Sequence, residues 1–447
     1  MAGETLEDIQ INAFSLTDEN ITITGTGKVD TAAMTSKVNL ETAVSRVSAL
    51  PVEATGLPDG ALHLQTQLET KGAPFSLKAK SSGTFENING LPAIAAAVIA
   101  DKLSFDMEVV LAEGRLEVDA AKIGNDTLTL DGKGNYNLES GELQGELAAA
   151  LPDLKRTTLS DAYPVSGSIL VNASADGILP KISVNAKIKG ENIVYGVMPP
   201  AHLLLDVAAT GIPAATTATI AGSIVNSGTI LSMNANTTVQ DDVLIVGPFV
   251  ASTGENTVSG NVFWPLKDGL PVAKVDAAVE DIHALAAMAG YDMRGRGKAS
   301  LQLEGTTAKL TATANELRYG TLSAEKAESS VIVTGFQNKP AGNITLEVDN
   351  IRSDAVLLNR LAIKGQGDAG EITLSASTKG CLNAAQDPST DIECETLIRV
   401  FPAERRLYLG RTKGRFGTFP VSLETDTSLT FQNGGFELGP MALRVGD

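Results

Sequence analysis

Residues 165–190 read VSGSILVNASADGILPKISVNAKIKG, and the second half of this stretch fixes the period of the chain. Ile182, Val184, Ala186 and Ile188 alternate with Ser183, Asn185, Lys187 and Lys189. Successive side chains of an extended strand point to opposite faces, so this spacing gives one apolar and one polar face. The alternation recurs elsewhere. Ile344, Leu346 and Val348 sit among Asn343, Thr345 and Glu347, and Leu301 and Leu303 lie between Ser300, Gln302 and Glu304. Leu128 and Leu130 are flanked by Thr127, Thr129 and Asp131. Glycine-rich pieces separate the runs and read as turns: Gly25-Thr26-Gly27, Gly132-Lys133-Gly134, Asp176-Gly177, Gly365-Gln366-Gly367 and Asn433-Gly434-Gly435. Runs repeating every roughly eight to twelve residues predict an antiparallel all-β chain.

Composition agrees. Of 447 residues 43% are hydrophobic but only 4% aromatic, with 43 glycines and a mean hydropathy of +0.07. Short strands rich in Val, Ile, Leu, Ala and Thr fit that balance better than a large core built on aromatic packing. A net charge of −18 and a pI near 4.7 argue against nucleic acid or an anionic bilayer surface as partner. The start, MAGETLEDIQINAFSL, has neither the basic nor the apolar region of a signal peptide. The longest apolar run, Leu91 to Ala100, is about half of what a membrane span needs. Both ends read as cuts within a longer protein.

Helical signals are confined to Leu91–Ala100, Leu151–Leu159 and Val279–Ala289. Two of them belong to a weak internal repeat. Segments beginning at Val38, Glu146 and Val275 each read strand, short crossing, glycine, then an alternating strand opened by Gly60, Gly167 and Gly297. The later two continue alike, Ile193-Val194-Tyr195-Gly196 matching Leu317-Arg318-Tyr319-Gly320. This organisation predicts one continuous array over residues 1–447, with units of about 38–145, 146–274 and 275–380. Residues 381–447 form C-terminal hairpins, where Phe401, Phe416, Phe419, Phe431 and Phe436 promise better packing.

Catalytic patterns do not emerge. His63, His202 and His283 lie in separate segments without metal-ligand spacing, so no metal, cofactor or catalytic residue is assigned. Gly295-Arg296-Gly297 and its like lack the continuation of a phosphate loop and read as turns. Cys381 and Cys394 flank the turn formers Asn383, Asp387 and Pro388, so a hairpin joining them as a disulfide is expected, as in an oxidising compartment. Arg399, Arg405, Arg406, Arg411, Lys413 and Arg415 form a basic island. It suits lipid phosphate or an acidic partner, or simply the solvent face of a hairpin.

The cadence of the stretch at Val165 resembles the TamB/AsmA-like family. So do AKVDAAVEDIHALAAMAGYDMRGRGKASLQLEG from Ala273 and GNITLEVDNIRSDAVLLNRLAIKGQGDAGEITLSAS from Gly342. The likeness covers residues 100–380 best and rests on degenerate patterns. The resemblance implies an elongated, repetitive antiparallel β-sheet, curved into an open apolar groove with a few short helices. It implies a non-catalytic periplasmic bridge between the inner and outer membranes of a Gram-negative bacterium, conducting phospholipid acyl chains. The full-length protein would be anchored in the inner membrane by parts outside this chain. An outer-membrane TamA-like barrel protein is the implied partner.

Each lipid methylene exposed to water costs about 0.8 kcal/mol, so a sixteen-carbon chain needs roughly 13 kcal/mol of shelter. A continuous trough of alternating strands supplies it, and roughly 35 to 40 strands in single file would extend on the order of 170–190 Å. Ile169, Val171, Ile182, Val184, Leu301, Leu303, Ile344, Leu346 and Val348 are the candidate lining residues, chosen by parity. Three alternatives stay open: a periplasmic scaffold for outer-membrane protein assembly, a surface β-solenoid adhesin whose interior is filled by its own side chains, and a β-helical hydrolase.

Overall fold

A strand with one apolar side gains burial only when its neighbours present the same side, so register follows the apolar pattern. The computed structural model describes residues 8–49, 58–91, 93–99, 102–157, 164–196, 198–213, 216–267, 269–336, 339–354, 356–381, 390–432 and 435–446. Among them are 29 strands and two short α-helices, α1 (Ala93–Ile99) and α2 (Ile282–Met288). The protein is all-β. Its backbone contacts divide into two units, Met1–Asn226 and Ser227–Asp447.

The first unit runs β1 (Asp8–Thr17), β2 (Ile21–Asp30), β3 (Thr35–Val44), β4 (Asp59–Gly72), β5 (Phe75–Asn89), β6 (Lys102–Ala112) and β7 (Arg115–Gly124). It continues with β8 (Thr129–Asn137), β9 (Glu142–Leu151), β10 (Val165–Ile178), β11 (Lys181–Tyr195), β12 (Ala201–Pro213) and β13 (Thr217–Asn226). Each strand pairs antiparallel with the next in chain order. Connections leaving even-numbered strands of this meander are tight, as at Glu113-Gly114, where both residues have positive φ. The longer crossings, α1 and the 3₁₀ turns Val47–Ala49 and Leu154–Arg156, all follow odd-numbered strands and therefore share one end of the meander. Side chains tie them there. Asn125 and Thr127 donate to the carbonyls of Ile99 and Val98 at the end of α1, at 2.5 and 2.8 Å. Asp59 accepts from the backbone N–H groups of Ser48 and Gly60 at 3.1 and 2.9 Å.

The second unit runs β14 (Thr229–Gln240), β15 (Val243–Thr253), β16 (Asn256–Pro265), β17 (Val272–Val279), β18 (Met293–Glu304), β19 (Thr307–Tyr319), β20 (Leu322–Thr334) and β21 (Ala341–Arg352). Then come β22 (Leu357–Asp368), β23 (Ile372–Cys381), β24 (Asp391–Phe401) and β25 (Arg406–Phe416). Consecutive strands pair antiparallel as far as β25, where the sheet splits. One end of β25 pairs with β26 (Phe419–Leu423), the other with β27 (Thr427–Gln432). The short strands β28 (Gly435–Leu438) and β29 (Leu443–Val445) finish the two arms. Helix α2 is capped by Asp281, whose own backbone exchanges two hydrogen bonds with the buried Asn256 side chain. It packs on β18 and also reaches β14. A flat sheet would hold those strands about 19 Å apart, and α2 is only about 10 Å long. The sheet therefore curves around it.

Strands of up to 15 residues replace the shorter ones expected, which is why there are fewer of them. The glycine tripeptides read as turns are strand interior: Gly25 and Gly27 lie in β2, Gly132 and Gly134 in β8, Gly177 in β10, Gly295 and Gly297 in β18, Gly365 and Gly367 in β22. The Asn433-Gly434-Gly435 turn falls largely outside the described residues. The repeated crossing is present, with one correction. β4, β10 and β18 each open on a bulge, at Gly60, Gly167 and Gly295 rather than Gly297. Opposite each bulge the next strand carries a left-handed residue: Asn87, Asn192 and Glu316.

Very little is fully buried. Among the described residues the buried apolar side chains are Val44, Leu128, Leu154, Ala209, Ala286, Leu357 and Cys381, nearly all at strand ends or in crossings. The accessible surface is 27430 Å². Two separate compact bodies of half the mass would together expose about 19,000 Å². Among the described residues each unit is a single layer with few fully buried side chains.

Candidate functional site

The register brings the apolar positions of every strand to one face. In the first unit one row crosses all thirteen strands, from Phe14 and Gly25 through Leu40, Met107, Ala121, Leu147, Ala173, Ala186 and Val207 to Ile220, interrupted by the hydrogen-bonded Thr66 and Ser81. In the second, Ala235, Phe249, Gly260, Val275, Leu301, Leu310, Val331, Ile344, Gly365, Leu374, Ile398 and Leu409 stand opposite one another from β14 to β25. At about 4.8 Å per strand, the first face continues for roughly 58 Å and the second for roughly 53 Å.

All nine lining candidates fall on these faces. Val171 stands opposite Ile188, Val184 opposite Ala175, Ile182 opposite Gly177 and Ile169 opposite Gly190. Leu303 faces Ala308, and Leu346 and Val348 face Ile363 and Leu361. They are half-buried by their neighbours and left open above, and Leu301 and Leu310, a facing pair, are each 38% exposed. Parity within one strand assigns them to a face. It could not find their partners, such as Val207, Ile220 or Val331, because cross-strand register is invisible in a single strand.

Glycines shape this face. A β-carbon on Gly83, Gly222 or Gly342 would strike the carbonyl oxygen of His63, Leu204 or Ile332 on the adjacent strand. The neighbouring backbone occupies the place of a side chain, so the sheet folds toward its apolar side at these points.

The opposite face carries the charges. Lys37 pairs with Glu69 at 2.7 Å, Lys80 with Glu108 at 2.9 Å and Lys133 with Glu146 at 2.9 Å. Hydrogen bonds from Lys78 and Lys80 hold the Glu108 carboxyl below the usual range. Two wide depressions are lined from both kinds of row: one of about 970 Å³ by Phe14 and Leu40 beside Thr24, Glu41, Gln65 and Asp106, and one of about 680 Å³ by Leu147, Ala173 and Val207 beside Lys122, Asp131, Asn172 and Lys187.

The expected disulfide is not formed. Cys381 stands opposite Asp391, and Cys394 opposite Thr378. An offset of three residues separates the α-carbons by about 11 Å and turns the side chains to opposite faces, beyond the ~7 Å a disulfide tolerates. Their connection lies outside the described residues, and burial pushes the Cys394 thiol up. The basic island is an ion-paired hairpin. Arg399 lies 3.8 Å from Asp426, Arg406 3.2 Å from Glu404 and Arg415 3.7 Å from Glu393, with the guanidinium groups of Arg399 and Arg406 over the Tyr408 ring. The aromatic cluster beside it does not pack as expected: Phe416, Phe419 and Phe431 are exposed, as the sheet splits there. His63, His202 and His283 remain apart and exposed, and no metal-holding cluster occurs among the described residues. No described helix is long and apolar enough to cross a membrane.

Fold and site together define a class: an open, single-layer antiparallel β protein with an apolar and a polar face in each unit. No family model matches the chain, and no curated protein sequence matches it.

Proposed function

We propose that the apolar faces are non-catalytic surfaces that shelter the acyl chains of phospholipids, and that the chain is a segment of a TamB/AsmA-like periplasmic lipid conduit. One observation carries this reading. Side chains that would form the core of a sandwich are aligned over roughly 50–60 Å in each unit, yet no described element covers them along that length. Leaving that surface to water is unfavourable by about 25 cal/mol per Å². A hydrocarbon ligand removes the cost, and the few hydroxyls on these rows, such as Thr66 and Ser81, satisfy one another and do not fix a ligand in place. Bridging the two membranes of a Gram-negative envelope, and contact with an outer-membrane barrel, belong to the same proposal through the sequence resemblance.

Photocrosslinking tests it. A benzophenone side chain at position 184 or 344, on the apolar faces, should capture radiolabelled phospholipid from vesicles. At the adjacent positions 185 and 343, on the polar faces, it should not. Equal labelling on both sides, or none on either, would refute the proposal.

A further inference from the structure

We propose that the apolar face of the second unit contains a discrete seat for the end of a linear hydrocarbon chain, at the rim of β20–β23. It rests on the reading of that face as lipid-binding and adds a fixed, saturable position to it. Three glycines, Gly342, Gly365 and Gly367, leave a gap in the rows of β21 and β22 that Val331, Val333, Ile344 and Ile372 wall on the flanking positions. Pro340, Ala369 and Pro402 close it at the turns. The resulting cleft of about 480 Å³ lies within the usual size of a small-molecule site, about 300–1,000 Å³.

The gap is built in. A β-carbon on Gly342 or Gly367 would strike the carbonyl of Ile332 or Glu371, so backbone geometry excludes side chains there. The polar residues of these strands, Asn343, Gln366 and Asp368, belong to the opposite rows, and the strands spend their backbone groups on each other. Asn343, Gln366 and Asp368 border the cleft, but their side chains belong to the other face and Asp368 is already engaged by the backbone N–H groups of Gly370 and Glu371, so a ligand meets a lining that is mainly apolar. That selects a hydrocarbon end and rejects a headgroup, which would lose its hydration without compensation.

Gly365 differs from its companions. A methyl there would press on the end of the Leu374 side chain, which can move, and on the Ile344 γ-methyl, while the Thr373 carbonyl stays at an ordinary 3.4 Å. Gly365→Ala is thus a mild filling variant, Val333→Phe a stronger one, and Ala369→Trp, at an exposed turn position, a mouth-blocking one.

Titration of the full chain with cis-parinaric acid, a linear fluorescent fatty acid, should reveal one saturable site per chain above a weaker background. Excluding two or three methylenes corresponds to about ten- to fiftyfold weaker binding. Val333→Phe and Ala369→Trp should each lose that much at the tight site, Gly365→Ala less, and Glu69→Gln on the first unit's charged face nothing. Circular dichroism of each variant confirms that the sheet persists. Tight binding unchanged in both Val333→Phe and Ala369→Trp overturns the seat while leaving the groove reading intact. Absence of probe binding in the wild type, together with no crosslinking at positions 184 and 344, overturns both.

Discussion

A methyl group added at Gly342 would collide with the Ile332 carbonyl, whereas one at Gly145 would meet its nearest neighbour, the Lys133 carbonyl, at an ordinary 3.5 Å. Gly342→Ala should therefore lower stability by about 1–3 kcal/mol, as overpacking does. Gly145→Ala should be close to neutral in the same urea titration. The opposite kind of change is diagnostic of the open face. Leu301 is 38% exposed and stands between Val275 and Leu310 in its row. Leu301→Ala should cost about 1 kcal/mol or less, where a filled core would lose about 2–5 kcal/mol. A loss in the higher range would mean that something packs over this face.

At the scale of elements, the crossings are fastened to the sheet rim by a few polar side chains. Asp59 is the clearest. Backbone and side-chain hydrogen bonds from Ser48, joined by Arg46 and Gly60, lower its carboxyl from the ordinary 3.8 to about 2. A carboxyl depressed in the folded state contributes stability that is fully present above its ordinary value and lost as the pH falls through the folded one. Amide exchange at Ser48 and Gly60 should thus accelerate, relative to the rest of β4, as pH falls from about 4 toward 2. Asp59→Asn should show the faster exchange already at neutral pH and lose that extra pH dependence. If exchange at these amides follows the remainder of β4 in both proteins, the tie is not what holds the crossing. The bulges opening β4, β10 and β18 repeat the same local construction. Only the structure showed that Gly295, two residues before the glycine marked by the alternating pattern, is the third member.

Across each whole unit, a strand is held by its two sequence neighbours and by almost nothing else. Such an arrangement behaves as a one-dimensional array, in which opening starts at free edges and propagates inward. Among the described residues β1 pairs with β2 alone, and its Ile9, Ile11, Phe14 and Leu16 are exposed. Hydrogen exchange read by peptide mass should therefore rise first in β1 and among β26–β29, and last in interior strands such as β5 and β21. Uniform protection across a unit would instead indicate a cooperative core that the burial pattern does not contain.

The alternation of residues such as Ile182 to Lys189 was sufficient by itself to make this an all-β, antiparallel chain, and to sort side chains onto two faces. A period of two is a property of the backbone and survives any tertiary arrangement. Two of the three expected helical stretches, at 93–99 and 282–288, were legible locally, whereas Leu151–Leu159 holds only the end of β9 and a 3₁₀ turn at Leu154–Arg156 among its described residues. Which strands face one another, that paired glycines bend strands instead of ending them, and that Cys381 and Cys394 cannot meet were decided by register and curvature. Those arise from contacts between segments, where the cost of a β-carbon depends on a neighbouring carbonyl that no local pattern encodes.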